Sequence, residues 1–227
     1  AQARPRAVAM AMQLETSEDF DADADPDQLH LFLEEADDLP RPGSSRPGSS
    51  RHSSAVEPGP LEEREAVEVE GGLRYKGQWR GHRRHGRGAL TSAQPGSGTY
   101  EGEFRCDVAH GRGRYVGADG SEYVGEWYEG EKSGQGEERW PDGTRYEGHF
   151  LLGMKHGEGV YESAAGNRFE GQFRHETMCG EGRYTFADGR RYEGQWRRGV
   201  MSGQGCMRWP DGATYRGGYE RDVRHGE

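Results

Sequence analysis

The segment Y-V-G-E-W-Y-E-G-E-K-S-G-Q-G, residues 123–136, decides the fold of this 227-residue chain, because its spacing returns at 192–205 as Y-E-G-Q-W-R-R-G-V-M-S-G-Q-G. Each copy opens with an aromatic, a glycine and a second aromatic at alternate positions, and another glycine stands eleven residues after the first ring. Successive side chains of a strand point to opposite faces, so the two rings and the glycine between them share one face. The glycine leaves a bare slot. A ring from a neighbouring strand can cover it, so this spacing predicts aromatic-on-glycine packing in place of an aliphatic core, each ring removing a large apolar area from water.

Outward from this segment the triplet occurs seven times: Tyr75-Gly77-Trp79, Tyr100-Gly102-Phe104, Tyr123-Gly125-Trp127, Tyr146-Gly148-Phe150, Phe169-Gly171-Phe173, Tyr192-Gly194-Trp196 and Tyr215-Gly217-Tyr219. The first spacing is 25 residues and the rest are 23. A G-x-G follows each of the first six, at Gly86/Gly88, Gly111/Gly113, Gly134/Gly136, Gly157/Gly159, Gly180/Gly182 and Gly203/Gly205, whereas the seventh reaches only Gly226. A fixed period of this size marks a repeat array. Asp119-Gly120, Pro141-Asp142-Gly143, Asp188-Gly189 and Pro210-Asp211-Gly212 supply turns between one unit and the next, and Ala165-Gly166 is the weakest copy. Tyr115, Trp140, Tyr161, Tyr184, Phe186, Met207 and Trp209 add bulk on the aromatic face. The predicted fold is all-β: residues 71–227 form an elongated, twisted antiparallel sheet of seven tandem β-hairpins, the last incomplete. At about 4.8 Å per strand it is about 65 Å long.

Composition alone argues for disorder, with 10 Leu, 10 Val, 7 Phe and no Ile. Periodicity outranks it, because 21 of the 23 aromatics and 35 of the 38 glycines follow residue 70. Charge is segregated too: residues 1–70 carry 6 Lys/Arg against 17 Asp/Glu, and residues 71–227 carry 24 against 23. Residues 1–70 therefore read as a disordered acidic, Ser/Pro-rich arm. Within it Leu29, Phe32 and Leu33, with Ala36, fall at helical spacing and mark a candidate partner-binding helix over 27–39. The alternating Asp21, Asp23, Asp25 and Asp27 are not an EF-hand loop, since Pro26 replaces its glycine and Phe32 its bidentate glutamate. Arg41–Ser54 reads as a linker. Three cysteines without paired spacing, and no apolar signal segment, predict an intracellular, cytoplasmic setting.

These residues resemble the MORN (membrane occupation and recognition nexus) repeat, most fully in the two segments quoted first. The departures are the two-residue insertion around Gln94 to Gly98, Phe169 for the leading Tyr, Tyr219 for the second Trp/Phe, and the unfinished last unit. The resemblance implies a non-enzymatic scaffold for a protein partner in a cytoskeletal, ciliary or membrane-associated assembly. Its alternatives are peripheral binding to anionic membrane lipid, or a regulatory array beside a catalytic domain absent from this chain.

The residues themselves point away from catalysis. His85, His110, His156 and His225 recur in phase, but repeat-matched positions stand about 10 Å apart, too far to share a zinc, and they are expected to stabilise turns. The G-x-G pairs lack the lysine and strand-to-helix setting of phosphate loops. No cofactor, metal or nucleic-acid partner is expected. Arg80, Arg83, Arg84, Arg87, Arg105, Arg112 and Arg114 form a candidate anion-binding patch at the start of the array, next to the acidic arm. The unfinished sheet end, Tyr215–Glu220, is expected to leave backbone groups unpaired and open to self-association.

Overall fold

The structure, a computed structural model, describes residues 59–92 and 97–226. The expected helix over 27–39 and the linker lie outside these residues. The described chain is one open antiparallel sheet in which every strand pairs with its neighbours in sequence. Its strands are β1 (Glu62–Val69), β2 (Leu73–Arg80), β3 (Arg83–Ser92), β4 (Thr99–Arg105), β5 (Val108–Val116), β6 (Glu122–Tyr128), β7 (Glu131–Arg139), β8 (Arg145–Leu151), β9 (Met154–Glu162), β10 (Arg168–Arg174), β11 (Thr177–Thr185), β12 (Arg191–Arg197), β13 (Val200–Arg208), β14 (Thr214–Glu220) and β15 (Val223–His225). The expected all-β hairpin array is what forms.

Its core is a line of rings. Each leading aromatic meets the second aromatic of its own strand and of the next repeat edge to face, from Trp79–Tyr75 (5.2 Å between centroids) and Tyr75–Phe104 (5.0 Å) through Tyr192–Tyr219 (5.0 Å). Beneath the rings one glycine from each of β2 to β14 stands in register, as in Gly136↔Gly148 and Gly148↔Gly159. The covering ring differs in origin from the expected one. Tyr146 lies down over its own Gly148 and over Gly159 of the paired strand, so one ring roofs two glycines. Tyr115 and Met207 are buried with the rings, and Trp140, Tyr161, Tyr184, Phe186 and Trp209 pack partly buried against them.

Each of the first six hairpins contains an irregularity that the glycine pattern did not announce. Between Gly125↔Gly136 and Glu126↔Ser133 the second strand carries two extra residues, Gly134 and Gln135, and Gly134 has φ +59°. The first glycine of each G-x-G therefore belongs to a bulge, and only the second joins the glycine line. In the first, second and sixth repeats the residue three after the leading ring closes this bulge. Gln78 and Gln195 accept the loose N–H groups of Arg87 and Gln204 on their side-chain oxygens, each at 2.9 Å. Their backbone carbonyls accept the hydroxyls of Tyr75 and Tyr192 at 2.9 and 3.0 Å. The same Tyr bond recurs at Tyr100, Tyr123, Tyr146 and Tyr215.

The leading ring is thus a tyrosine because a buried carbonyl needs a donor, and Phe169 is the exception. Phe169→Tyr is expected to raise stability by about 0.5–1.5 kcal/mol through a bond to the Gln172 carbonyl. Thermal melts of the two proteins decide it, and an unchanged midpoint would mean that the bulge carbonyl needs no hydroxyl.

Both ends of the array depart from expectation. Glu62–Val69, assigned to the arm, is strand β1, paired along β2 through Glu62↔Trp79 and Val69↔Leu73. It puts Val69 against the core and the Arg64 guanidinium 5.1 Å from the centre of the Trp79 ring. An acidic composition hid the alternation of Val67 and Val69, and the unpaired backbone of β2 supplies the reason to form a strand. At the other end β15 pairs with Gly218–Glu220, so the expected open edge is half covered.

Candidate functional site

Opposite the rings lies a polar face whose strand backbones are bare along the glycine line. Side chains before and after each glycine rise as two banks, making a groove of about 1120 Å³ across β1–β8. Register places Ala89, Glu101, Arg114, Val124, Glu137 and Glu147 along one bank. Gln78, Arg87, Glu103, Arg112, Glu126 and Gln135 line the other. The floor's N–H and C=O groups are committed to the sheet ladder, so recognition in this groove falls to the bank side chains.

The seven arginines of the candidate anion patch do not share one surface. Arg84 is on the aromatic face, where its backbone N–H and Nε both donate to Asp107 Oδ1, at 2.8 and 3.4 Å, and its guanidinium lies against Tyr75 and Phe104. Arg87, Arg112 and Arg114 stand on the groove banks, Arg114 bonded to Glu122 at 2.5 Å. Arg114 holds the Glu122 carboxyl below the usual carboxylate range. Arg80, Arg83 and Arg105 lie on the same polar face near the hairpin turns, Arg80 opposite Arg83. His85 stands beside Arg80 and Arg105, and its pKa is held below its ordinary value by burial and then by those two cations. Parity counted from Gly88 would have separated Arg84 from Arg83 and Arg87.

The polar face of β2–β5 carries Arg74, Lys76, Arg80, Arg83, Arg87, Arg105, Arg112 and Arg114, with Glu101 and Glu103 as the carboxylates of those strands. Farther along, charges neutralise one another. Arg145 bonds Glu162 (2.9 Å), Glu162 bonds Arg168 (2.8 Å), Arg168 pairs with Glu170, and Arg183 bridges Glu170 (3.8 Å) and Glu193 (2.7 Å). On the aromatic face Glu138 replaces a ring and pairs with Lys132.

His85, His110 and His156 sit on strands beside the bulge glycines and His225 on β15, where the expected turn role does not arise. His110 lies tilted beside Tyr128 (ring centroids 5.4 Å apart) and His156 beside His175 (5.6 Å). The tight turns within hairpins are built instead by pairs with positive φ, such as Glu129-Gly130 and His175-Glu176. Among the described residues no three His, Cys, Asp or Glu side chains gather as metal ligands would.

A single-layer repeat sheet with a packed aromatic face and a grooved, charged face is a binding module. The MORN repeat family profile matches residues 75–94, 100–122, 123–145, 146–168, 169–190 and 192–214, and the chain belongs to the MORN repeat family, whose repeats serve as protein- or membrane-binding modules. Six repeats match, and the seventh hairpin, β14–β15, lies beyond them. No curated protein matches the chain. Among solved structures it is similar to the SAS-4 (dCPAP) TCP domain of Drosophila melanogaster in complex with a proline-rich motif of Ana2 (dSTIL). That likeness has 15% identity and a TM-score of 0.37, covering 78% of this chain and 97% of that one.

Proposed function

We propose that this chain is a non-enzymatic scaffold that holds an extended segment of a partner protein in the polar groove. The groove of about 1120 Å³ floored by glycine backbone is the observation that carries the reading. Between β2 and β8 it runs about 29 Å at about 4.8 Å per strand, the length of about nine extended residues. Its banks alternate cations, carboxylates and the small apolar side chains Ala89 and Val124, which suits a polypeptide of mixed character better than a uniformly charged ligand. The free cysteines Cys106, Cys179 and Cys206 are in keeping with an intracellular assembly.

Peptides selected from a displayed random library against the full chain test the proposal. Filling the groove with Ala89→Trp or Val124→Trp is expected to weaken the selected peptides at least about tenfold, equivalent to about 1.4 kcal/mol, without lowering the melting temperature. Equal binding by wild type and both variants would place the ligand elsewhere.

A further inference from the structure

We infer that the basic end of the groove is occupied within the same chain by the acidic segment Glu15–Asp38, which makes access of any external partner to β2–β5 conditional. This rests on the groove as a polypeptide site. The polar face of β2–β5 has its cations Lys76, Arg87 and Arg112 on the groove banks, with Arg80 and Arg105 beside them. The chain has already begun to neutralise this end. Strand β1 lays Glu63 into the groove and Glu65 3.1 Å from Lys76. The eight cations on the polar face of β2–β5 nonetheless outnumber the six carboxylates of β1, Glu101 and Glu103.

Upstream of β1, Glu15–Asp38 carries eleven Asp/Glu and neither Lys nor Arg. The twenty residues 39–58 join it to the described sheet beside β1. They span up to about 68 Å when extended, against about 19 Å from β1 to β5, so the segment reaches every cation named. A short tether gives it an effective concentration of order millimolar, so an acidic ligand from outside must bind more tightly than the segment does. A neutral or basic partner enters the acidic stretch of the groove at Glu126, Glu137 and Glu147 without that competition.

Lysine scarcity makes the test clean, because Lys76, Lys132 and Lys155 are the chain's lysines, and Lys132 and Lys155 are paired with Glu138 and Glu176 on the aromatic face. The full chain is treated with a carbodiimide, which joins carboxylates to amines in contact, and linked peptides are read by mass spectrometry. The expected result is Lys76 joined to carboxylates within 15–38 as well as to Glu65. The 15–38 links should arise within one molecule when isotopically heavy and light chains are mixed. They should fall at least several-fold in about 1 M salt, where the Debye length is about 3 Å, and in Arg87→Glu/Arg112→Glu, while the Glu65 link persists and reports an intact β1–β2 pair.

Links to Glu63 and Glu65 alone, links between heavy and light chains, or links indifferent to the charge reversal would overturn the inference. Absence of the 15–38 links with Lys76 shielded from acetylation by phosphatidylserine vesicles would hand the face to a membrane instead. If the cis links fail while peptides selected on the groove still lose affinity in Val124→Trp, only this inference falls. If those peptides bind Val124→Trp unchanged, the groove reading itself falls.

Discussion

Gly148→Val is expected to destabilise the sheet by about 3 kcal/mol or more, at or beyond the upper end of the usual cost of overpacking. A Cβ on Gly148 would lie 2.6 Å from Gly159 Cα, 2.7 Å from the Glu158 carbonyl oxygen and 2.6 Å from the Tyr146 hydroxyl. Two of those three atoms are backbone and cannot rotate aside, so the β8–β9 ladder must open or the Tyr146 ring must lift. Lifting the ring would also break its 3.0 Å bond to the His149 carbonyl and its edge contacts with Phe150 and Phe173. The neighbouring Glu147→Val, exposed on the other face, is the control, and a surface change of that kind costs within about 0.5 kcal/mol. Equal melting temperatures for the two variants would remove the account of rings lying on glycine.

A steep loss of stability above pH 10 is the second large effect expected. Burial pushes the Tyr75 and Tyr192 hydroxyls up to about 12, with nearby charges adding smaller effects. Burial likewise raises Tyr100, Tyr123 and Tyr146 well above the ordinary value of 10. The unfolded chain releases these protons at pH about 10 and the folded chain only later, so their stabilisation is complete below pH 10 and is lost as pH climbs towards 12 and beyond. Melting temperature should hold steady from neutrality to about pH 9.5, then fall, and tyrosinate absorbance should rise together with unfolding. Tyr146→Phe removes one contributor and should make the fall shallower, although it starts from lower stability. Tyrosines that titrate near pH 10 while the sheet stays folded would show that the hydroxyls are open to water.

The Gln and Glu residues that close the bulges were legible in part. Gln78, Glu103 and Gln195 stand three places after the leading ring, yet on a strand such a residue reads as an ordinary solvent-facing side chain. Its use becomes visible only with the bulge, where Gln195 takes the Gln204 N–H while its own carbonyl takes the Tyr192 hydroxyl. Strand β1 was missed because five glutamates between Glu62 and Glu70 outweigh two valines in any compositional reading. The anion patch was read as one cluster because residues close in sequence were pooled without assigning faces.

The number and phase of the hairpins, the aromatic-glycine face and the turns between repeats are written in the chain locally, because period-2 alternation and turn chemistry act within a few residues. The tertiary structure decided what depends on contacts between hairpins. It set Asp107 against Arg84 twenty-three residues earlier, laid one ring across the glycines of two strands, joined Arg145 to Glu193 through a ladder of shared carboxylates, and drew Glu62–Val69 out of the acidic arm. Each of these follows from register, and register is set by the bulges and by the backbone of the neighbouring strand, which no local pattern contains.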